Sequence, residues 1–116
     1  MTLLCYPKCS TCRKTELFLQ SRNIPYTYRD IKLDNPSAAE LALWHKYSGL
    51  PLKRFFNTSG LLYKELALRD KLPALTEDEQ LALLASDGML VKRPLLICGE
   101  KVLVGFKQSE WEIEVK

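Results

Sequence analysis

The chain contains no stretch of about 18 consecutive apolar residues, so no membrane-spanning helix is read in it. Its N-terminus, MTLLCYPKCS, lacks a basic segment followed by a long apolar one. No signal peptide is therefore read, and a cytoplasmic location is expected. Like charges never run beyond three in a row, and 17 basic against 14 acidic residues leave a net charge of +3. Charge alone thus gives no reason to expect direct nucleic-acid binding. Histidine occurs once, as His45, which reads as an amphipathic-face or surface residue before a catalytic base. Internal repeats, low-complexity tracts and long linkers are also missing, and 116 residues suit one compact domain.

What the chain does have is a core and thiols. Hydrophobic residues make up 47% of it, enough for a fold without covalent staples. Four cysteines in a reducing compartment argue for chemistry or metal binding before permanent disulfides.

Residues 2–6, TLLCY, read as a short buried strand that Pro7 ends. Residues 11–22 are rich in helix formers, with Ser10 and Thr11 offering hydroxyls at the start and Arg22-Asn23 closing the helix. IPYTYRDI alternates and predicts a second strand at about 26–30, parallel to the first across a right-handed helical crossover. Asn35-Pro36 resembles a helix cap, and Ala38, Leu41, Trp44 and His45 share helical spacing up to Gly49. LKRFFN predicts a short helical turn, and LYKELALRDKL is helical in composition. Thr76 with Glu79 forms a capping box, and Gly88 is placed to end the helix that follows. RPLLIC and KVLVGF around Gly99-Glu100 predict a β-hairpin, and QSEWEIEV a closing helix anchored by Trp111.

The order is β-α-β, a helical middle, then β-β-α. It predicts an α/β domain with a mixed four-stranded sheet: a thioredoxin-like, or glutaredoxin-like, core at about 1–34 and 89–116. A helical insert at about 35–88 would pack beside the sheet. Nothing suggests an obligate interface, so a monomer is expected.

Cys9 and Cys12 form C-x-x-C where the first strand gives way to the first helix. Amides at a helix N-terminus lack partners and carry partial positive charge, and both favour a thiolate. Arg13, Lys14 and Lys8 lie close by in sequence. Cysteines so placed commonly have a pKa lowered from about 8.5 to between about 3.5 and 7.5, which marks Cys9 as the nucleophile. Cys12, one turn on, is the candidate resolving thiol. A structural zinc site wants four ligands in close pairs, whereas Cys5, Cys98 and His45 are scattered, so redox chemistry is preferred over metal. Cys5 and Cys98 are expected as core residues of apolar strands. Arg93-Pro94 is the second candidate pair. Proline opening the third strand, often through a cis bond, would face the C-x-x-C and offer its backbone to a thiol ligand such as glutathione. Arg93 would hold an oxyanion or strengthen the thiolate.

YPKCSTCRK, KRPLL and KVLVGF together resemble the arsenate reductase (ArsC) and Spx family over nearly the whole chain. FFNTSGLLYKEL and ASDGMLVKRPLL resemble in particular its Spx/MgsR-like and uncharacterised reductase-like members. The resemblance implies the thioredoxin-like fold with helical insert. Its arsenate reductases imply Cys9 as nucleophile with Arg13 and Arg93 on the oxyanion, and glutathione, glutaredoxin or thioredoxin as electron donor with no bound cofactor. This chain departs from them in carrying Cys12, in placing Asn57 at the insert arginine and in having Lys107 near the late arginine. Its Spx members imply a Cys9–Cys12 disulfide switch and binding to the RNA polymerase alpha subunit's C-terminal domain. The glycine that contact uses falls at Pro51, with Gly49 nearby.

Overall fold

Side chains alternate along a strand, so TLLC must send Leu3 and Cys5 to one side and Leu4 to the other. A computed structural model of the chain, describing residues 1–115, shows what waits on each side. Strands β1 (Thr2–Cys5), β2 (Thr27–Asp30), β3 (Leu95–Cys98) and β4 (Lys101–Val104) form one sheet in the order β2-β1-β3-β4. β1 runs parallel to β2 and antiparallel to β3, and β3 pairs antiparallel with β4. This is the mixed sheet of a thioredoxin-like fold. The two central strands bury Leu3, Leu4, Cys5, Leu95 and Leu96.

Helix α1 (Ser10–Ser21) crosses from β1 to β2 and buries Cys12, Thr15, Phe18 and Leu19 along one stripe. The Thr15 hydroxyl, the one polar group in that stripe, donates to the Thr11 carbonyl at 2.8 Å. Helix α6 (Gln108–Glu114) covers the same face through Trp111, whose Nε1 donates to the Gly105 carbonyl at 3.1 Å. Together they enclose Leu3, Cys5, Cys12, Phe18, Leu19, Leu96, Leu103 and Trp111. Gly99 adopts φ 58° in the tight β3–β4 turn, a backbone that glycine reaches without strain.

The helical insert covers the opposite face rather than lying beside the sheet. Leu4, Leu95, Val102 and Val104 meet Leu41 and Trp44 of α2 (Ala38–Ser48), together with Phe55, Phe56 and Leu84. Helix α2 is capped by Ser37, not Asn35-Pro36. Ser37 and Glu40 close a capping box, because the Ser37 side chain accepts from the Glu40 amide and Pro36 lies before the helix. The same box, Thr76 with Glu79, opens α5 (Glu77–Ser86).

Two expectations change in the insert. The segment expected as one helix at 62–72 is two, α3 (Leu61–Glu65) and α4 (Leu68–Lys71), broken at Ala67 with φ 52°. Tyr63 and Leu68 are both buried, yet a continuous helix would aim residues five apart about 140° apart. The break re-aims Leu68 into the core. Gly88 does not end α5, which stops at Ser86; it sits in a following 3-10 turn, Gly88–Leu90. Glycine is needed there for close approach, since a Cβ would overlap the Ile31 carbonyl.

Candidate active site

The chain leaves β1 at Cys5, turns at Pro7-Lys8 and enters α1 with Cys9 as its N-cap. The turn is closed by the Cys9 amide donating to the Tyr6 carbonyl at 3.0 Å, and the helix opens with the Arg13 amide donating to the Cys9 carbonyl at 3.2 Å. The helix therefore begins a residue earlier than the sequence suggests, and Cys9 stands directly at its end. The amides of the first turn have no intrahelical acceptors there. Cys9 is half-buried, whereas Cys12 is 2% exposed. All four cysteines are free thiols.

Cys12 Sγ accepts a hydrogen bond from the Tyr6 amide at 3.4 Å. The neighbouring Cys5 thiol, that amide, Cys9 and the Arg93 charge all favour its thiolate. These outweigh burial and lower the Cys12 pKa to about 7. The same contact with Cys12, together with burial, pushes the Cys5 thiol up. The lowered thiol is thus the buried one of the pair.

Arg93 approaches from β3. The pairing of Leu4 with Leu95 carries Pro94 to the end of β1 where Cys5 lies, and the Arg93–Pro94 bond is cis. The Arg93 guanidinium carbon lies 5.4 Å from the centre of the Tyr6 ring. Its Nε and Nη1 are buried and find no hydrogen-bond partner among the described residues. An unpaired guanidinium in that position is a ready site for an anion. Arg93 also lines an open cleft of about 460 Å³ with Lys32 and Asn57. A cleft of similar size, about 450 Å³, runs along β4 beside Tyr47 and Glu110, away from the thiols, so size alone does not single out the site.

The structure therefore brings Cys9, Cys12, Arg93 and Pro94 to one end of the sheet. Arg13 is on the same first turn but exposed. Cys98 is not a core residue: it ends β3 beside the turn and is exposed. His45 stacks edge-on to Phe55 and lies 3.4 Å from Glu77, far from the thiols in sequence and on the insert side. Sequence reasoning missed the contribution of Cys5 and Tyr6. Strand alternation carried the signal for Cys5, which shares the Leu3 side that α1 covers. Tyr6 acts through its amide, for which a side-chain pattern holds no signal.

A thioredoxin-like domain with a dithiol at its first helix and a half-buried arginine before the third-strand proline defines a class of thiol-based proteins. Residues 4–113 match the ArsC family, and the chain belongs to it. It is 52% identical to the uncharacterized protein YusI of Bacillus subtilis, over 97% of this chain and 95% of that one. It is 27% identical to the regulatory protein MgsR of the same organism, over 95% of this chain and 86% of that one. The crystal structure of an ArsC family related protein from Bacteroides fragilis superposes with a TM-score of 0.94 at 57% identity, covering 97% of this chain and 94% of that one.

Proposed function

We propose that the protein is a thiol-dependent oxidoreductase in which Cys9 makes the first attack and Cys12 resolves the adduct. The observation that carries this is the half-buried Cys9 at the N-cap of α1 with the buried Cys12, which accepts from the Tyr6 amide, one turn on. On a disulfide substrate, Cys9 thiolate attacks one sulfur and releases the other as a thiolate. Cys12 thiolate then attacks Cys9 Sγ, forming the Cys9–Cys12 disulfide and releasing the second substrate thiolate. The substrate gains the two electrons that the dithiol loses. Glutathione, or a glutaredoxin or thioredoxin, reduces the pair for the next cycle.

Arg93 holds an anionic group of the substrate with its unpaired Nε and Nη1, and Arg13 meets it from the solvent side. Pro94 offers extended backbone to the thiol partner. With two guanidiniums, and Asn57 lining the cleft beside Arg93, an anionic disulfide suits the site better than arsenate. The test is turnover by the reduced protein with glutathione and glutaredoxin, in parallel on arsenate and on a glutathione mixed disulfide. Turnover on the disulfide above that of glutathione and glutaredoxin alone is expected, and none above that background on either substrate contradicts the proposal.

The likeness to MgsR favours a second reading, a redox-sensing regulator that binds the RNA polymerase alpha subunit. Retention of alpha subunit by the oxidised protein, lost in Cys9→Ala, is its expected outcome. Retention by neither redox form contradicts it.

A further inference from the structure

Strand β4 lies at the edge of the sheet, paired with β3 on one side only. One hydrogen bond tells which of its backbone groups face the open side. The β3–β4 register, carried one step on, sets Gly105 opposite Pro94, and the Gly105 amide donates to the Pro94 carbonyl at 2.9 Å. Antiparallel pairs alternate between bonded and non-bonded, so Leu103 and Lys101 also turn their N–H and C=O towards β3. Val102 and Val104 turn theirs away, and no backbone hydrogen bond reaches them from beyond the ladder among the described residues. The nearby side chains of Lys101 and Trp111 donate elsewhere, to the Glu114 and Gly105 carbonyls. Yet both valines are buried, at 6% and 8% exposed. Four main-chain groups are thus held unpaired along a sheet edge, in the arrangement that a further strand completes.

We propose that β4 takes up a basic, extended segment of a partner protein as a fifth strand. The room for it is the cleft of about 450 Å³ along β4, with Tyr47 and Leu50 of the insert and Glu110 and Glu114 of α6 on its walls. Val102 and Val104 belong to the insert-side core, and Leu103 to the α1–α6 side. Side chains of an added strand alternate in the same way. Those towards Tyr47 and Leu50 are therefore apolar, and those towards Glu110 and Glu114 are lysine or arginine. Charge selects this occupant. The cleft is lined by Glu100, Glu110 and Glu114 against Lys101, whose ammonium is already 3.2 Å from Glu114. Main-chain pairing supplies the attraction common to any strand, and the acidic rim supplies the preference for a basic one. A second copy of this chain, pairing β4 with β4, would set the same acidic rim against itself. The proposal makes no use of the thiols and stands apart from the dithiol reading.

The test adds a blocked peptide of alternating lysine and valine to the whole reduced protein and follows amide hydrogen exchange residue by residue in NMR. Near saturation, exchange at Val102 and Val104 should slow about tenfold, and more than at Leu103, whose amide already bonds to β3. A peptide with glutamate in place of lysine should leave both amides unchanged, as should one with the lysines and valines gathered into two blocks. Glu110 is exposed, and Glu110→Lys should weaken binding of the alternating peptide about fivefold. Should that variant fail to fold, Glu100→Lys in the β3–β4 turn must show the same loss. Absence of binding overturns the inference, as does binding that leaves Val102 and Val104 unprotected. Equal protection by the glutamate or the block peptide, or full affinity in the charge-reversed variant, overturns it too. Protection of the same two amides that grows with protein concentration in the absence of peptide would assign the edge to a second copy and contradict it.

Discussion

The two faces of the sheet differ in what they are built from. The face under α2, α5 and the turns between them is a broad apolar core, with Trp44, Phe55, Phe56, Tyr63 and Leu84 against Leu4 and Leu95. The face under α1 and α6 is smaller, and it carries Cys5, Cys9 and Cys12 among its hydrophobic residues. Strand alternation alone assigns these roles: Leu4 points to one side, Leu3 and Cys5 to the other. The difference teaches that stability and chemistry are separable here. The insert side holds the sheet in place, while the α1 side presents sulfur.

The largest effects should come from breaking each face in turn. Cys9→Ser should reduce single-turnover disulfide chemistry to the buffer background and leave the thermal midpoint nearly unchanged. Phe55→Ala should do the reverse. It should cost about 3–5 kcal/mol in chemical denaturation, while the molecules that remain folded react normally. Gly88→Ala tests the seam between insert and sheet. The added Cβ meets the Ile31 backbone rather than a movable side chain, so about 2 kcal/mol or more should be lost.

Arg93 sharpens the comparison further, since it is placed for chemistry at the expense of stability. Two of its buried nitrogens lack partners among the described residues, and each such group costs about 1–3 kcal/mol. Millimolar sulfate or phosphate should raise the thermal midpoint of the native protein, and Arg93→Met should abolish that gain while keeping or raising the midpoint itself. A lower midpoint with anion protection intact would show that Arg93 is a structural residue.

The smallest effect belongs to the insert side. Arg29 grips Glu40 through two nitrogens, at 2.7 and 3.0 Å, and lowers the Glu40 pKa to about 2. A carboxyl depressed in the folded state stabilises fully above its unfolded value near 4.5, and that contribution fades as the pH falls towards 2. Both side chains are partly solvated, so Glu40→Gln should cost only about 1 kcal/mol at neutral pH. The difference from the native protein should close between those two pH values in an acid-denaturation series.

Much of this was legible in the residues. C-x-x-C after a buried strand, proline before the third strand and a capping box at Thr76 each carry a local cause that needs no tertiary context. So does the hairpin at Gly99-Glu100. The break at Ala67 was not legible, because it comes from two buried side chains competing for one core. Gly88 was misplaced because its glycine is required by the Ile31 carbonyl, a neighbour distant in the chain. Cys98 was expected inside because its strand is apolar, yet it stands at the strand's last position, where burial has ended. The lowered Cys12 pKa depends on a buried thiol and a backbone amide that converge only in three dimensions.

The account depends most on the division between an accessible attacking sulfur and a buried resolving one. Mass spectrometry of Cys12→Ser after brief exposure to oxidised glutathione, with the modified peptide sequenced, tests it directly. One glutathione retained on Cys9 beyond any exposed-thiol labelling of Cys98 is the predicted result. Labelling of Cys98 alone, with Cys9 untouched, would contradict it.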